Sequence, residues 1–239
     1  MIYLTDVELG FILELMPYRY IPFSIGEIYH VYNRSVGKLP IFITIQDYFR
    51  AYETLDYYRF MKVPMRFSYF KRQVQYTKNA ILDGLISNNK SMVTILAFAL
   101  MPNHFHLVLV QKKKDGISEL LRNFQNSYAK YFNTKRKRTG ALFQSMFKSK
   151  RVNKDEQLMH LVRYVHLNPL TSRVIEKHEE LENYPWNSFT DYMGKRTYSF
   201  VEKEMMRNYF KSIHSLKKFT FDQADYQRNL DEIKHLMIE

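Results

Sequence analysis

Residues 102–110 read Pro-Asn-His-Phe-His-Leu-Val-Leu-Val. The bulky and β-branched residues from His104 onward make this a β-strand, whose side chains alternate between faces. His104 and His106 therefore share one face, while Phe105, Leu107 and Leu109 share the other. Pro102-Asn103 is a turn. The continuous apolar run at 92–101 before it reads as a buried strand, so the two segments form an antiparallel pair. Two imidazoles on one face can share a divalent metal. Taken alone the pattern is a weak signal, and a structural histidine pair is the alternative.

Outward from this pair the chain alternates strand and helix. Residues 27–36 are β-branched and aromatic, a strand, and 37–40 form a loop. Residues 46–61 carry Tyr48, Phe49, Tyr52, Leu55 and Phe60 at helical spacing. Pro64 ends that pattern, and 62–90 reads as an insertion of undefined structure. After the loop Lys112–Gly116, a helix capped at or near Ser118 is expected to run to about Asn133. A basic loop, Thr134–Gly140, and a short extended piece, 142–151, follow. A last helix over 154–167 is expected to stop at Asn168, because Pro169 disfavours helix at the residue before it. Strand, helix, paired strands, helix is the order of a ferredoxin-like α+β fold, an antiparallel sheet with helices on one face. Residues 1–25, interrupted by Pro17 and Pro22, read as an N-terminal arm. Residues 26–194 read as the main domain, and 195–239 as a helical C-terminal extension with Phe200, Met205, Phe210, Ile213 and Leu216.

The 239-residue chain has no cysteine, which excludes disulfides, thiolate metal sites and a cysteine nucleophile. No apolar run approaches the length of a membrane span, and a cytoplasmic protein is expected. The net charge is +12 and aromatics reach 16%. Much of the excess falls in three clusters: Lys112, Lys113 and Lys114; Lys135, Arg136, Lys137 and Arg138; and Lys148, Lys150 and Arg151. Basic clusters among Tyr and Phe suit a polyphosphate backbone with bases that stack, so nucleic acid is favoured over a merely solvated basic surface.

The helix at 154–167 supplies partners for the histidines. Tyr164 and Asn168 lie four apart, on one helical face, with His160 one turn earlier. A phenol becomes a useful nucleophile when its electrophile is a metal-polarised phosphodiester. The Asn168 amide oxygen is a hard ligand suited to Mg²⁺ or Mn²⁺. With 19 tyrosines in the chain, a packed Tyr164 and a helix-terminal Asn168 are the competing reading.

Several ordered segments resemble the single-tyrosine transposases of the insertion-sequence-200 type, and most closely their REP-associated branch. They are Tyr29-His30-Val31-Tyr32-Asn33-Arg34, Met101-Pro102-Asn103-His104-Phe105-His106-Leu107, Tyr128-Ala129-Lys130-Tyr131-Phe132-Asn133, Arg138-Thr139-Gly140-Ala141-Leu142-Phe143, Phe147-Lys148-Ser149, Arg163-Tyr164-Val165-His166-Leu167-Asn168-Pro169-Leu170 and Tyr184-Pro185-Trp186-Asn187-Ser188-Phe189. His104-Phe105-His106 is similar to the family's histidine–hydrophobe–histidine (HUH) motif. The resemblance implies that His104 and His106 bind a divalent cation and that Tyr164 is the nucleophile, giving a 5′-phosphotyrosine. Asn168 stands where relatives place a third polar ligand, often Gln. The implied partner is single-stranded or hairpin DNA, which makes the protein nucleoid-associated. In relatives a homodimer can complete each site in trans. Tyr128 and Tyr131 are read as core or DNA-facing residues, and Trp186 as a packing residue rather than a base-stacking one.

Two rivals stay open. A non-catalytic nucleic-acid binder, such as a degenerate transposase, uses the charge but leaves the histidines without a role. A metal hydrolase would need further acidic or histidine ligands nearby, and Leu107-Val108-Leu109-Val110-Gln111 offers none.

Overall fold

The computed structural model describes residues 22–88 and 90–222. Most of the N-terminal arm and residues 223–239 of the C-terminal extension lie outside them.

Four strands form one antiparallel sheet: β1 (Ile28–Arg34), β2 (Val93–Met101), β3 (His104–Gln111) and β4 (Lys148–Val152), in the spatial order β2-β3-β1-β4. This is the ferredoxin-like order. Helix α1 (Ile45–Tyr58) connects β1 to β2, and α4 (Gly116–Lys135) connects β3 to β4. Between α1 and β2, the insertion forms α2 (Phe67–Phe70) and α3 (Gln75–Ser87).

The pairing register sorts side chains by face, because directly opposed residues point the same way. Leu107 opposes Val31 and Phe98, and Phe105 opposes Leu100 and Asn33. This face is dry. Phe105, Leu107 and Leu109 are fully buried, and Phe105 meets Phe124 of α4 edge-on at 5.2 Å. Tyr52 of α1 packs on Phe98 at 5.7 Å. Burying each such aliphatic or aromatic side chain contributes roughly 1.5–3 kcal/mol, so α1 and α4 are held here by the alternation of β1, β2 and β3.

Helix α1 starts at a capping box: the Thr44 side chain accepts from Asp47 N–H, and the Asp47 carboxylate accepts from Thr44 N–H. Helix α4 starts two residues before Ser118. Its cap is Asp115, in the left-handed region at φ 60°. A Cβ on Gly116 would come within 2.4 Å of the Met92 carbonyl oxygen, so only glycine fits where the helix leaves the sheet.

Helix α5 (Asp155–Thr171) follows β4 and crosses the opposite face of the sheet, against β2 and β3. It runs straight through Asn168 and Pro169 instead of stopping before them. Pro169 has no N–H to give the Val165 carbonyl. Asn187 Nδ2 takes its place, donating to the carbonyls of Val165 (3.1 Å) and His166 (3.0 Å). Both acceptors are thereby satisfied, and the helix persists.

The segment supplying Asn187 also closes the outer edge of β2. Leu100 N–H donates to the Trp186 carbonyl (2.8 Å), and Ser188 N–H donates to that of Phe98 (3.0 Å). Further on, Glu202 N–H donates to the Ile95 carbonyl. Trp186 is buried, stacked on Tyr48 with ring centroids 4.9 Å apart. The other edge, β4, is short and charged, which discourages pairing with another chain. Among residues 195–222, two short helices, Glu204–Arg207 and Ile213–Phe221, pack back through Met206 and Leu216.

Candidate active-site cleft

The face of the sheet not covered by α1 and α4 carries a different set of side chains. His106 opposes Tyr32 and Ala99, His104 opposes Arg34 and Met101, and His30 opposes Val108. Across the other side of β1, Lys148 opposes Tyr32 and Lys150 opposes His30. Register therefore places three histidines and three cationic residues on one face. Helix α5 roofs part of it. The remaining space is a cleft of about 810 Å³ bordered by His30, His104, His106, Tyr164, Asn168, Arg34, Lys38, Lys148 and Lys150, among others.

Within this one chain, the Tyr164 ring stands edge-on to His106, with centroids 5.6 Å apart, and to His30 at 6.1 Å. Asn168, one turn on, is buried and its Nδ2 donates to the Tyr164 carbonyl (3.1 Å). The amide oxygen is the atom of that side chain able to meet a cation. His160 lies away from the cleft, against Arg163 and Phe219.

All three imidazoles are kept neutral. Burial, helped by the Lys150 charge, pushes His30 down to about 4. Burial with Arg34 does the same to His104, down to about 4. His106 is buried and held well below the usual histidine range, first by desolvation and then by His104, His30 and Arg34. A neutral imidazole is the form that ligates a metal. Among the described residues no group of three or more His, Cys, Asp or Glu side chains is placed to hold a metal ion. The donors available are two imidazoles and one amide oxygen. This set fits a cation that completes its shell with water and phosphate oxygens.

The basic clusters divide. Lys148 and Lys150 border the cleft. Arg151 points to the opposite face of β4 and pairs with Glu27 at 2.7 Å. Lys112, Lys113 and Lys114 follow the far end of β3 from His104 and do not border the cleft; Lys112 Nζ donates to Ser91 Oγ. Lys135 and Arg136 converge on Asp47, a fully buried residue, at 2.8 and 2.7 Å. Lys137 and Arg138 follow them, with Arg138 bonded to the Ala141 carbonyl. Tyr128 is fully buried and donates to the Ile41 carbonyl (2.6 Å), while Tyr131 donates to Asp47 (2.9 Å). Neither tyrosine borders the cleft.

Among the cleft residues that the sequence does not single out are His30, Arg34, Lys38 and Asn103. The period-two spacing of His30, Tyr32 and Arg34 was the available signal, and only the pairing of β1 with β3 turns it into a site.

The fold and the cleft together define an α+β sandwich with a basic, histidine-bearing open face. The model of the family described as "Transposase IS200 like" matches residues 52–168, a stretch that includes both paired histidines and Tyr164 and ends on Asn168. Over that stretch the chain is similar to the IS200-like transposases. A solved structure of a REP-associated tyrosine transposase bound to a REP hairpin has the same fold. It aligns with a TM-score of 0.50 at 14% identity, covering 78% of this chain and 90% of that one. A comparison with curated proteins finds no match. Among the described residues no helix is long and apolar enough to cross a membrane.

Proposed function

We propose that this protein cuts and rejoins single DNA strands, with Tyr164 as the nucleophile, in the manner of the REP-associated branch of its family. The observation that carries this reading is the edge-on contact of Tyr164 with His106 inside one chain, over a cleft lined by Arg34, Lys38, Lys148 and Lys150. A solved relative of the same fold is bound to a DNA hairpin, and a hairpin-flanked strand is the substrate proposed here.

His104, His106 and the Asn168 amide oxygen would hold a Mg²⁺ or Mn²⁺ ion, which when bound polarises the scissile phosphate and stabilises its developing charge. Tyr164 Oη bonds to phosphorus and the P–O3′ bond breaks. The phenolic proton passes to solvent, and the departing 3′ oxygen is released as a hydroxyl. The product is a 5′-phosphotyrosine. Attack by a 3′-hydroxyl reverses the exchange and joins strands. One phosphodiester is traded for another at each step, so no nucleotide triphosphate is consumed. Lys148 and Lys150 on the sheet, with Arg34 and Lys38 beside the turn, hold backbone phosphates next to the tyrosine. Because the tyrosine and the histidines meet within one chain, a second copy is not needed to complete the site.

The test is incubation with labelled, hairpin-flanked single strands and Mn²⁺, followed by denaturing electrophoresis. A denaturant-resistant adduct is expected with the wild type and not with Tyr164→Phe. DNA binding with no adduct from the wild type would instead make the protein a non-catalytic binder.

A further inference from the structure

The hydrogen bonds around the paired histidines determine which ring nitrogen carries the proton. Asn103 sits in the turn between β2 and β3. Its Nδ2 donates to the Lys38 carbonyl at 2.9 Å. A carbonyl only accepts, so the orientation of the Asn103 amide is fixed. The other amide atom, Oδ1, lies 2.6 Å from His104 Nδ1. An amide oxygen has no proton to give, so His104 Nδ1 must be the donor. His104 Nε2 is then the atom with a free lone pair.

His106 is held at the same ring position. Its Nδ1 lies 2.9 Å from His30 Nε2, across the pairing of β3 with β1. The two rings are stacked, His106 buried and His30 half-buried, and one proton occupies the contact. Should that proton sit on His30, His106 would carry its own on Nε2 and lose its ligating atom. Should it sit on His106 Nδ1, both paired histidines would present the same unprotonated nitrogen.

We propose that Asn103 and His30 are positioning residues that hold His104 and His106 in the Nδ1–H form, leaving Nε2 of each ring unprotonated. The role they would serve, ligand orientation for a cation, rests on the reading of the cleft given above, and so does the choice of the Nδ1–H form for His106; the Nδ1–H form of His104 follows from the Asn103 amide alone. Groups that grip the second nitrogen of a ligating histidine set its tautomer and ring angle, and their loss typically weakens metal binding roughly 10- to 100-fold. Neither Asn103 nor His30 needs to touch the substrate to do this.

The experiment is a long-range ¹H–¹⁵N spectrum of the full chain labelled with ¹⁵N-histidine, without metal, at neutral pH. The wild type is expected to show His104 and His106 protonated on Nδ1. Asn103→Ala should move His104 toward the Nε2–H form while leaving His106 as it was, and His30→Ala should do the converse. Mn²⁺ titration followed by electron paramagnetic resonance should then show roughly 10- to 100-fold weaker binding in either variant. A wild-type spectrum with His104 or His106 protonated on Nε2 overturns the proposal, and this needs no variant to fold. Wild-type protein with both Nδ1–H forms but no Mn²⁺ affinity upholds the positioning and overturns the metal reading of the cleft instead.

Discussion

The two faces of the sheet each carry tyrosines and basic residues, and they use them in opposite ways. On the α1–α4 face, Tyr131, Lys135 and Arg136 close on the buried Asp47 carboxylate, and Tyr128 spends its hydroxyl on the Ile41 carbonyl. On the cleft face, Lys148, Lys150 and Tyr164 border open space beside neutral imidazoles. In the sequence the two sets look alike. What separates them is whether the fold delivers a carboxylate. A buried anion with two cations is a clamp between α1 and the end of α4; cations without one are available to an anionic ligand.

The largest separation should come from removing the center of each region. His104→Ala is expected to abolish the Mn²⁺-dependent adduct while changing unfolding stability by less than about 1 kcal/mol, since the ring is only partly buried. Asp47→Ala should do the reverse. It deletes half of a capping box and strands Lys135, Arg136 and Tyr131, costing about 2–4 kcal/mol in denaturant unfolding. Retained adduct formation by the folded fraction would confirm that the clamp is structural.

The acid response should also differ by region. Burial alone would raise the Asp47 carboxyl, but bonds from Lys135, Thr44 and Tyr131 outweigh it and hold it below its ordinary value. Its contribution is therefore full above the ordinary carboxylate pKa and is lost as pH falls through the lowered folded value. His166, under α5 and bonded to Ser188 Oγ at 3.0 Å, is pushed by burial down to about 3. The unfolded chain takes up that proton near 6.5, so stability should fall as pH drops from there toward 3. His166→Gln should flatten this limb of the stability–pH curve, and an unchanged limb would mean that His166 does not report on folding.

The smallest effect concerns salt. Replacing Lys148 or Lys150 by Ala should weaken single-strand binding and flatten the slope of log K against log salt by about 0.7 for each phosphate no longer neutralised. Lys135→Ala should leave the slope unchanged. Equal changes in slope would erase the distinction between the two faces.

Much of this was legible in the sequence where a local period decides it. The alternation of β1 and β3 and the helical spacing of α1 and α4 gave the ferredoxin-like order, and the spacing of Tyr164 to Asn168 gave one helical face. The rest depended on partners distant in the chain. The passage of α5 through Pro169 needs Asn187 to satisfy the orphaned carbonyl. The start of α4 at Gly116 needs the nearness of Met92. The withdrawal of Lys135 and Arg136 needs Asp47, and the entry of His30 and Arg34 into the cleft needs the β1–β3 register. Apart from the period-two spacing of His30, Tyr32 and Arg34, none of these contacts leaves a mark in the local sequence.

The central claim is that Tyr164, and no tyrosine of the α1–α4 face, meets the DNA. It is tested most directly by digesting the covalent adduct with trypsin and locating the nucleotide by mass spectrometry. The account predicts the added mass on the peptide Tyr164–Arg173. Finding it on the peptide Asn123–Lys130, which carries Tyr128, or on Tyr131–Lys135 would contradict it.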